Sequence, residues 1–288
     1  MTTPLPARVG RRCHNVLNPL HSAIYFSADM AREMTSIGHD DPSAAYFAAR
    51  AAAMGPVGPG AVTAAFYNFS HDLVARHVPG IWSTASPQKT LDARTRGVDA
   101  TLRRLLGDEA VASPEMAEAA ELAMRAAEAG SRPARPLYAA HADLPVPEEP
   151  HLAFWHAVTL LREHRGDGHI AVLAGAELDA LEAIVSHSAT GKGQQPKWLM
   201  RTRGWTTEDW SAAEDRLRTR GLMDAEGELT EDGTELRRRI EEDTDRLDRA
   251  PYEHLGAAGV ERLTELAGGW TGTAVAAGAF PSDLLGKG

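Results

Sequence analysis

The stretch Arg162-Glu-His-Arg-Gly-Asp-Gly-His169 constrains this chain more than any other. A run of apolar residues at helical spacing, residues 151–162, leads into it, and a second, residues 170–187, leads out. Two glycines and a row of ionisable side chains lie between them. A charged turn between two helices that must pack together adds little stability of its own, so the stretch reads as a corner presenting polar groups. In that reading Gly166 and Gly168 supply the positive φ of a turn, and Glu163 or Asp167 pairs with Arg162 or Arg165 or caps the next helix.

On either side the chain reads as helices punctuated by glycine and proline. A loose basic leader, residues 1–12, precedes a helix from Leu20 to about Ile37. Asp41 or Ser43 caps the next, which ends at Gly55-Pro-Val-Gly-Pro-Gly60. Ser70 caps another, and Ser113-Pro-Glu115 opens an amphipathic one. Residues 131–150 carry five prolines and little periodicity, which predicts a linker between a helical unit at 13–130 and a second unit at 151–255. A helix near 257–267 and a mobile, glycine-rich tail complete the region 256–288.

The two units share a rhythm. Leu20-His21 aligns with Trp155-His156 at an offset of 135, while Gly55 aligns with Gly191 and Phe69-Ser70 with Trp205-Thr206 at an offset of 136. The order of helices, glycine breaks and caps between these anchors is the same. That predicts two similar units about a pseudo-two-fold axis, with His21 and His156 in equivalent places and a groove between them as the natural ligand site.

With 288 residues, 43% of them hydrophobic and 24% charged, the chain has the profile of a globular protein rather than a disordered one. No run has the length or apolarity of a membrane span or a signal peptide. The single cysteine, Cys13, excludes an internal disulfide and fits a reducing compartment, so a cytoplasmic location is expected. A net charge of −10 disfavours general binding to nucleic acid or anionic membranes.

One resemblance rests on specific residues. The segment from Thr206 to Gly233, with Arg220-Gly-Leu222, an acidic turn and Leu229-Thr-Glu-Asp-Gly233, resembles the end of a MarR-type winged helix. The whole chain, through Leu161–His169 and Phe66-Tyr-Asn-Phe69, resembles an actinobacterial family of helix-turn-helix-like proteins. The resemblance covers roughly residues 14–255. It implies a mainly α fold of two pseudo-repeated helical units, at least the second a winged helix with a short β wing, and it carries over no catalytic residue.

DNA is nevertheless a disfavoured partner. The helix in the recognition position shows Glu208, Asp209, Glu214 and Asp215 before its first base, Arg216, and residues 206–250 hold fifteen acidic against eight basic side chains. Such a face repels the phosphates that dominate DNA affinity. The stretch 192–203 runs the other way: Lys192, Lys197, Arg201 and Arg203 stand with Trp198 and no acid. These bases either hold phosphates or an acidic small molecule, or neutralise acidic helices beside them.

The favoured partner is therefore an aromatic or amphipathic small molecule in the groove, bound for sensing, sequestration or self-protection, with a homodimer compatible with this reading. His21, Tyr67, Asn68, His156, Glu163, His169, Arg201 and Trp205 are the expected contacts. A MarR-type regulator is the alternative. A further one is an enzyme using Glu163, His164, Asp167 and His169, since a histidine oriented by a carboxylate is a common catalytic device. No zinc-type ligand spacing, phosphate loop or dinucleotide fingerprint occurs, so no metal and no cofactor is expected.

Overall fold

The computed structural model describes Leu5 and residues 8–281; the remaining parts of the expected leader and tail lie outside these described residues. The first half carries α1 (Val9–Ser22), α2 (Ala28–Ser36), α3 (Pro42–Ala51), α4 (Pro59–Phe66), α5 (His71–His77), α6 (Gly80–Thr84), α7 (Pro87–Leu106), α8 (Asp108–Val111) and α9 (Pro114–Ala127). After α10 (Pro136–Ala142) come α11 (Pro150–Gly175), α12 (Ala180–Ser188), α13 (Pro196–Arg203), α14 (Thr207–Thr219), α15 (Glu231–Leu247) and α16 (Arg249–Ala276).

The same local chemistry starts and stops helices at matched places in the two halves. Asp41 caps α3 and Asp179 caps α12. Proline opens both α4 and α13, Ser70 and Thr206 cap α5 and α14, and Ser86 and Thr230 cap α7 and α15. The breaks correspond too. Gly55 and Gly191 have φ of 77° and 71°, and the turns after α4 and α13 place Tyr67 and Gly204 at 54° and 76°. The chain is a helical tandem.

Its core does not divide at residues 131–150. One apolar cluster draws Cys13 and Leu17 from α1, Leu102 from α7, Met116 from α9, Phe154 and Leu161 from α11, and Val260 and Leu263 from α16. Each fully buried leucine contributes about 1.5–3 kcal/mol, and together these side chains fasten the long helices of both halves into one bundle. Two smaller clusters flank it. Phe47, Phe66, Phe69 and Val74 build the first, around α3–α5; Leu178, Ile184, Trp210, Leu217 and Ile240 build the second, around α12–α15.

Four expectations are corrected. The charged stretch 162–169 is not a corner but the middle of α11, a continuous helix of 26 residues. Neither Gly166 nor Gly168 has a positive φ; the absent side chain at 168 instead lets Arg135 approach, for a Cβ there would stand 2.7 Å from its Nη1. The β wing is not formed. Among the described residues there is no strand, only an isolated antiparallel bridge between Met223 and Leu229. Asp224 explains why: its carboxylate accepts from the backbone N–H of Glu226 and Glu228, folding five residues, three of them acidic, into a tight loop that leaves no length for a ladder. The proline-rich segment contains α10, whose Leu137, Tyr138 and His141 are buried. Finally, the tail is helical as far as Ala276, with Trp270 packed edge-on against Phe154 and Phe280 against Phe26.

Candidate cleft between the two halves

One face of α11 forms the floor of a cleft. At 3.6 residues per turn Arg162, Gly166, His169 and Leu173 fall into line, with Glu163 beside them. Asn18 of α1, Arg50 of α3, Asn68 of the turn after α4, His187 of α12, Arg203 of α13 and Arg237 of α15 close a cavity of about 510 Å³ over that floor. Both halves contribute walls. In a chain of net charge −10, this cavity is lined by six cationic side chains (Arg50, Arg162, Arg165, Lys192, Arg203, Arg237) and two carboxylates, Glu163 and Glu241.

Glu163 is almost fully buried and receives Arg50 Nη2 at 3.0 Å on one oxygen and Arg162 on the other. Burial would push its carboxyl up, yet the two guanidiniums hold it well below the ordinary carboxylate range. It is a fixed anion and cannot serve as a proton donor near neutral pH. Among the described residues Arg203 has no such partner: partial burial drives its guanidinium down, opposed by the Tyr46 hydroxyl and reinforced by Arg50 and Arg162. Three buried polar atoms around this cavity, Arg50 Nε, Asn68 Oδ1 and Arg237 Nη1, lack a hydrogen-bond partner among the described residues.

A second cavity, of about 560 Å³, adjoins the first and shares Asn18, Arg162, Gln194 and Arg203 with it. Its walls are aromatic: Tyr25, Phe26, Tyr46, Phe69, Trp198 and Phe280. The guanidiniums at the junction lie over rings, Arg50 4.4 Å from the Phe66 centroid, Arg203 4.4 Å from Phe69 and Arg162 5.9 Å from Tyr25.

The histidines of the cleft are neutral. Burial, with Arg165 and Arg162 nearby, lowers His14 to about 3, and burial lowers His169 to about 4. The Thr244 hydroxyl donates to the Ile240 carbonyl at 2.7 Å, so it accepts from His169 Nδ1–H at 2.9 Å and leaves Nε2 with its lone pair. Among the described residues no three His, Cys, Asp or Glu side chains converge as a metal ion would require.

The expected contact residues separate into two groups. Glu163, His169 and Asn68 line the cationic cavity, and Arg201 lines the aromatic one, over the Trp198 ring. The others lie elsewhere. His21 is buried beneath the cleft, stacked on Trp155 with centroids 4.6 Å apart and bonded to Thr159. Tyr67 donates to the Leu178 carbonyl and Trp205 to the Asn68 carbonyl, both holding the halves together. His156 faces a small groove beside Pro145 and Val146. The tetrad Glu163, His164, Asp167 and His169 does not converge, because a continuous helix turns His164 and Asp167 away from the cleft: His164 bonds Asp248 at 2.8 Å, and Asp167 accepts from the Tyr138 N–H at 2.9 Å. Residues without an earlier assignment, Arg50 and Arg237, complete the cleft. A lone arginine in an alanine-rich helix gave no signal for the first. For Arg203 the acid-free basic stretch did.

The two short helix pairs meet at their turns. Ser70 N–H donates to the Arg203 carbonyl at 2.9 Å, and the Gly204 Cα packs against Leu73 so closely that a Cβ would lie 2.6 Å from the Leu73 Cβ. On α14, Arg216 pairs with Asp179 and Arg218 with Glu214 and Asp215, while Glu208 and Asp209 are exposed.

An all-helical tandem with such a corner in each half, α4–α5 and α13–α14, defines a protein of the helix-turn-helix class. More particularly, the chain belongs to the helix-turn-helix family whose match runs over residues 10–281. Comparison with curated proteins and with solved structures gave no match. Among the described residues no helix is long and apolar enough to cross a membrane.

Proposed function

We propose that this helix-turn-helix protein binds a small amphipathic molecule with an aromatic body in the cleft between its two halves, for sensing or sequestration. The observation that carries the reading is the pair of adjoining cavities, one cationic and one aromatic, joined at Arg162 and Arg203. Pockets that bind small molecules combine an apolar wall with a few convergent polar groups in this way. Titration with anilinonaphthalenesulfonate tests it: one saturable site per chain is expected, lost when Ser43→Trp fills the aromatic chamber. Absence of a saturable site contradicts the reading.

Family membership favours a second reading, operator DNA. Against it, the exposed start of α14 is acidic and its arginines are already paired within the chain, where a recognition helix needs contacts to phosphates and base edges. A gel shift at low salt separates the two, with no retention of duplex expected.

A further inference from the structure

The junction between the two chambers has a charge imbalance that the fold does not resolve. Two guanidiniums, Arg50 and Arg162, share one carboxylate, Glu163, and a third, Arg203, stands near both of them. Arg203 makes no side-chain hydrogen bond or ion pair among the described residues, although it is half-buried with two cations for neighbours. Arg50 Nε is also buried without an acceptor. A partly desolvated cation is destabilising unless an anion meets it, and Glu163 is already shared by two partners.

The geometry points to a missing oxyanion: we infer that the cleft takes a ligand whose carboxylate, sulfonate or phosphate group sits on Arg203 and Arg162, with its planar body lying in the aromatic chamber among Tyr46, Trp198 and Phe280. This rests on the small-molecule reading and gives the ligand its charge and its direction. Arg203 lies over the Phe69 ring and keeps its N–H groups for a ligand's oxyanion, while Arg162 gives Nε to Asn18 and Nη1 to Glu163 and has Nη2 left to offer. Arg162 and Arg203 line both cavities, so an anion bound there places whatever is attached to it at the mouth of the aromatic chamber. Glu163 fixes the outer limit of the subsite, since its permanent negative charge repels an anion that moves deeper along α11.

Two probes of the same shape test the assignment. Anilinonaphthalenesulfonate carries the anion and N-phenylnaphthylamine lacks it. For the wild-type chain the sulfonate is expected to bind about tenfold or more tightly than the neutral probe. In Arg203→Met, shown folded by its circular dichroism and melting curve, that preference falls to within about threefold through weaker sulfonate binding alone. Arg203→Lys, which keeps the charge and loses the fork, is expected to lie between them. Equal binding of the two probes to the wild-type chain overturns the oxyanion assignment and leaves the cleft reading standing. A preference undiminished in Arg203→Met removes Arg203 from the subsite. Binding of neither probe overturns the cleft reading itself and the inference with it.

Discussion

Trp205 donates its indole N–H to the carbonyl of Asn68 at 3.0 Å, across 137 residues of chain. These are nearly equivalent positions of the tandem, and so are the neighbouring pair Ser70 and Arg203 and the stacked pair His21 and Trp155. Each of these contacts joins a residue of one half to nearly the matching place in the other, so the same separation recurs along the seam. The turns of the two helix pairs are thereby spent on each other.

Gly204 is the tightest point of that seam. Its φ of 76° and the proximity of Leu73 and Ser70 leave no room for a side chain. Gly204→Ala is expected to cost about 2–4 kcal/mol, from backbone strain together with overpacking. Urea denaturation of the two proteins measures it.

The two glycines of α11 should respond in opposite senses. A methyl at Gly166 meets only Glu163 Oε2, at 3.8 Å, so Gly166→Ala gains roughly 0.5–1 kcal/mol of helix propensity. At Gly168 it strikes Arg135, which is held by the carbonyls of His164 and Leu247, and Gly168→Ala loses about 1–2 kcal/mol. If these residues formed a turn at positive φ, both substitutions would destabilise. Melting curves decide.

This contrast shows where the sequence was readable. Caps at Asp41, Ser70, Ser113 and Thr206 stand where side-chain chemistry places them, because a cap is decided by three or four neighbouring residues. The offsets between matched glycines were readable for the same reason. The glycines at 166 and 168 misled, since the partner that needs their missing side chain, Arg135, comes from a segment that itself read as a linker. Placing 162–169 on one continuous helix then divides the expected tetrad between two faces. The wing failed on a local count, five residues with three like charges. Of the cleft, Glu163 and His169 were visible as polar groups on an apolar helix, and Arg203 as part of a basic run; Arg50 and Arg237 were not, because nothing near them in sequence sets them apart.

Glu163 should be a stabilising anion rather than a proton carrier. Glu163→Gln leaves Arg50 and Arg162 facing Arg203 without compensation, and breaking one side of such a buried pair costs about 3–5 kcal/mol. Added sulfate is expected to raise the melting temperature of Glu163→Gln more than that of the wild-type chain. Equal responses would remove Glu163 from the charge balance of the cleft.

Acid should unfold the protein early. Burial lowers His14 and His141 to about 3 and His156 and His169 to about 4, from an ordinary 6.5. A folded pKa below the unfolded one means that the unfolded chain binds the extra proton. Stability is therefore complete above about pH 6.5 and falls toward pH 4, with each histidine contributing about 1.4 kcal/mol per pH unit within its window. Asp167 acts in the opposite sense. Burial raises it to about 6 from 3.8, so the fold gains stability from its protonation as pH drops through that range. Asp167→Asn is expected to be more stable than wild type at pH 8 and to lose more stability between pH 6 and pH 4. Denaturation series at the two ends of each window supply the comparison.

Hydrogen–deuterium exchange with and without saturating anilinonaphthalenesulfonate tests the central claim most directly. The account predicts slower exchange in residues 42–50, 160–169 and 194–203, the segments that wall the cleft from both halves, and no change in the acidic helix at 207–219. Protection confined to 207–219, or an exchange pattern unaltered by the bound probe, would contradict it.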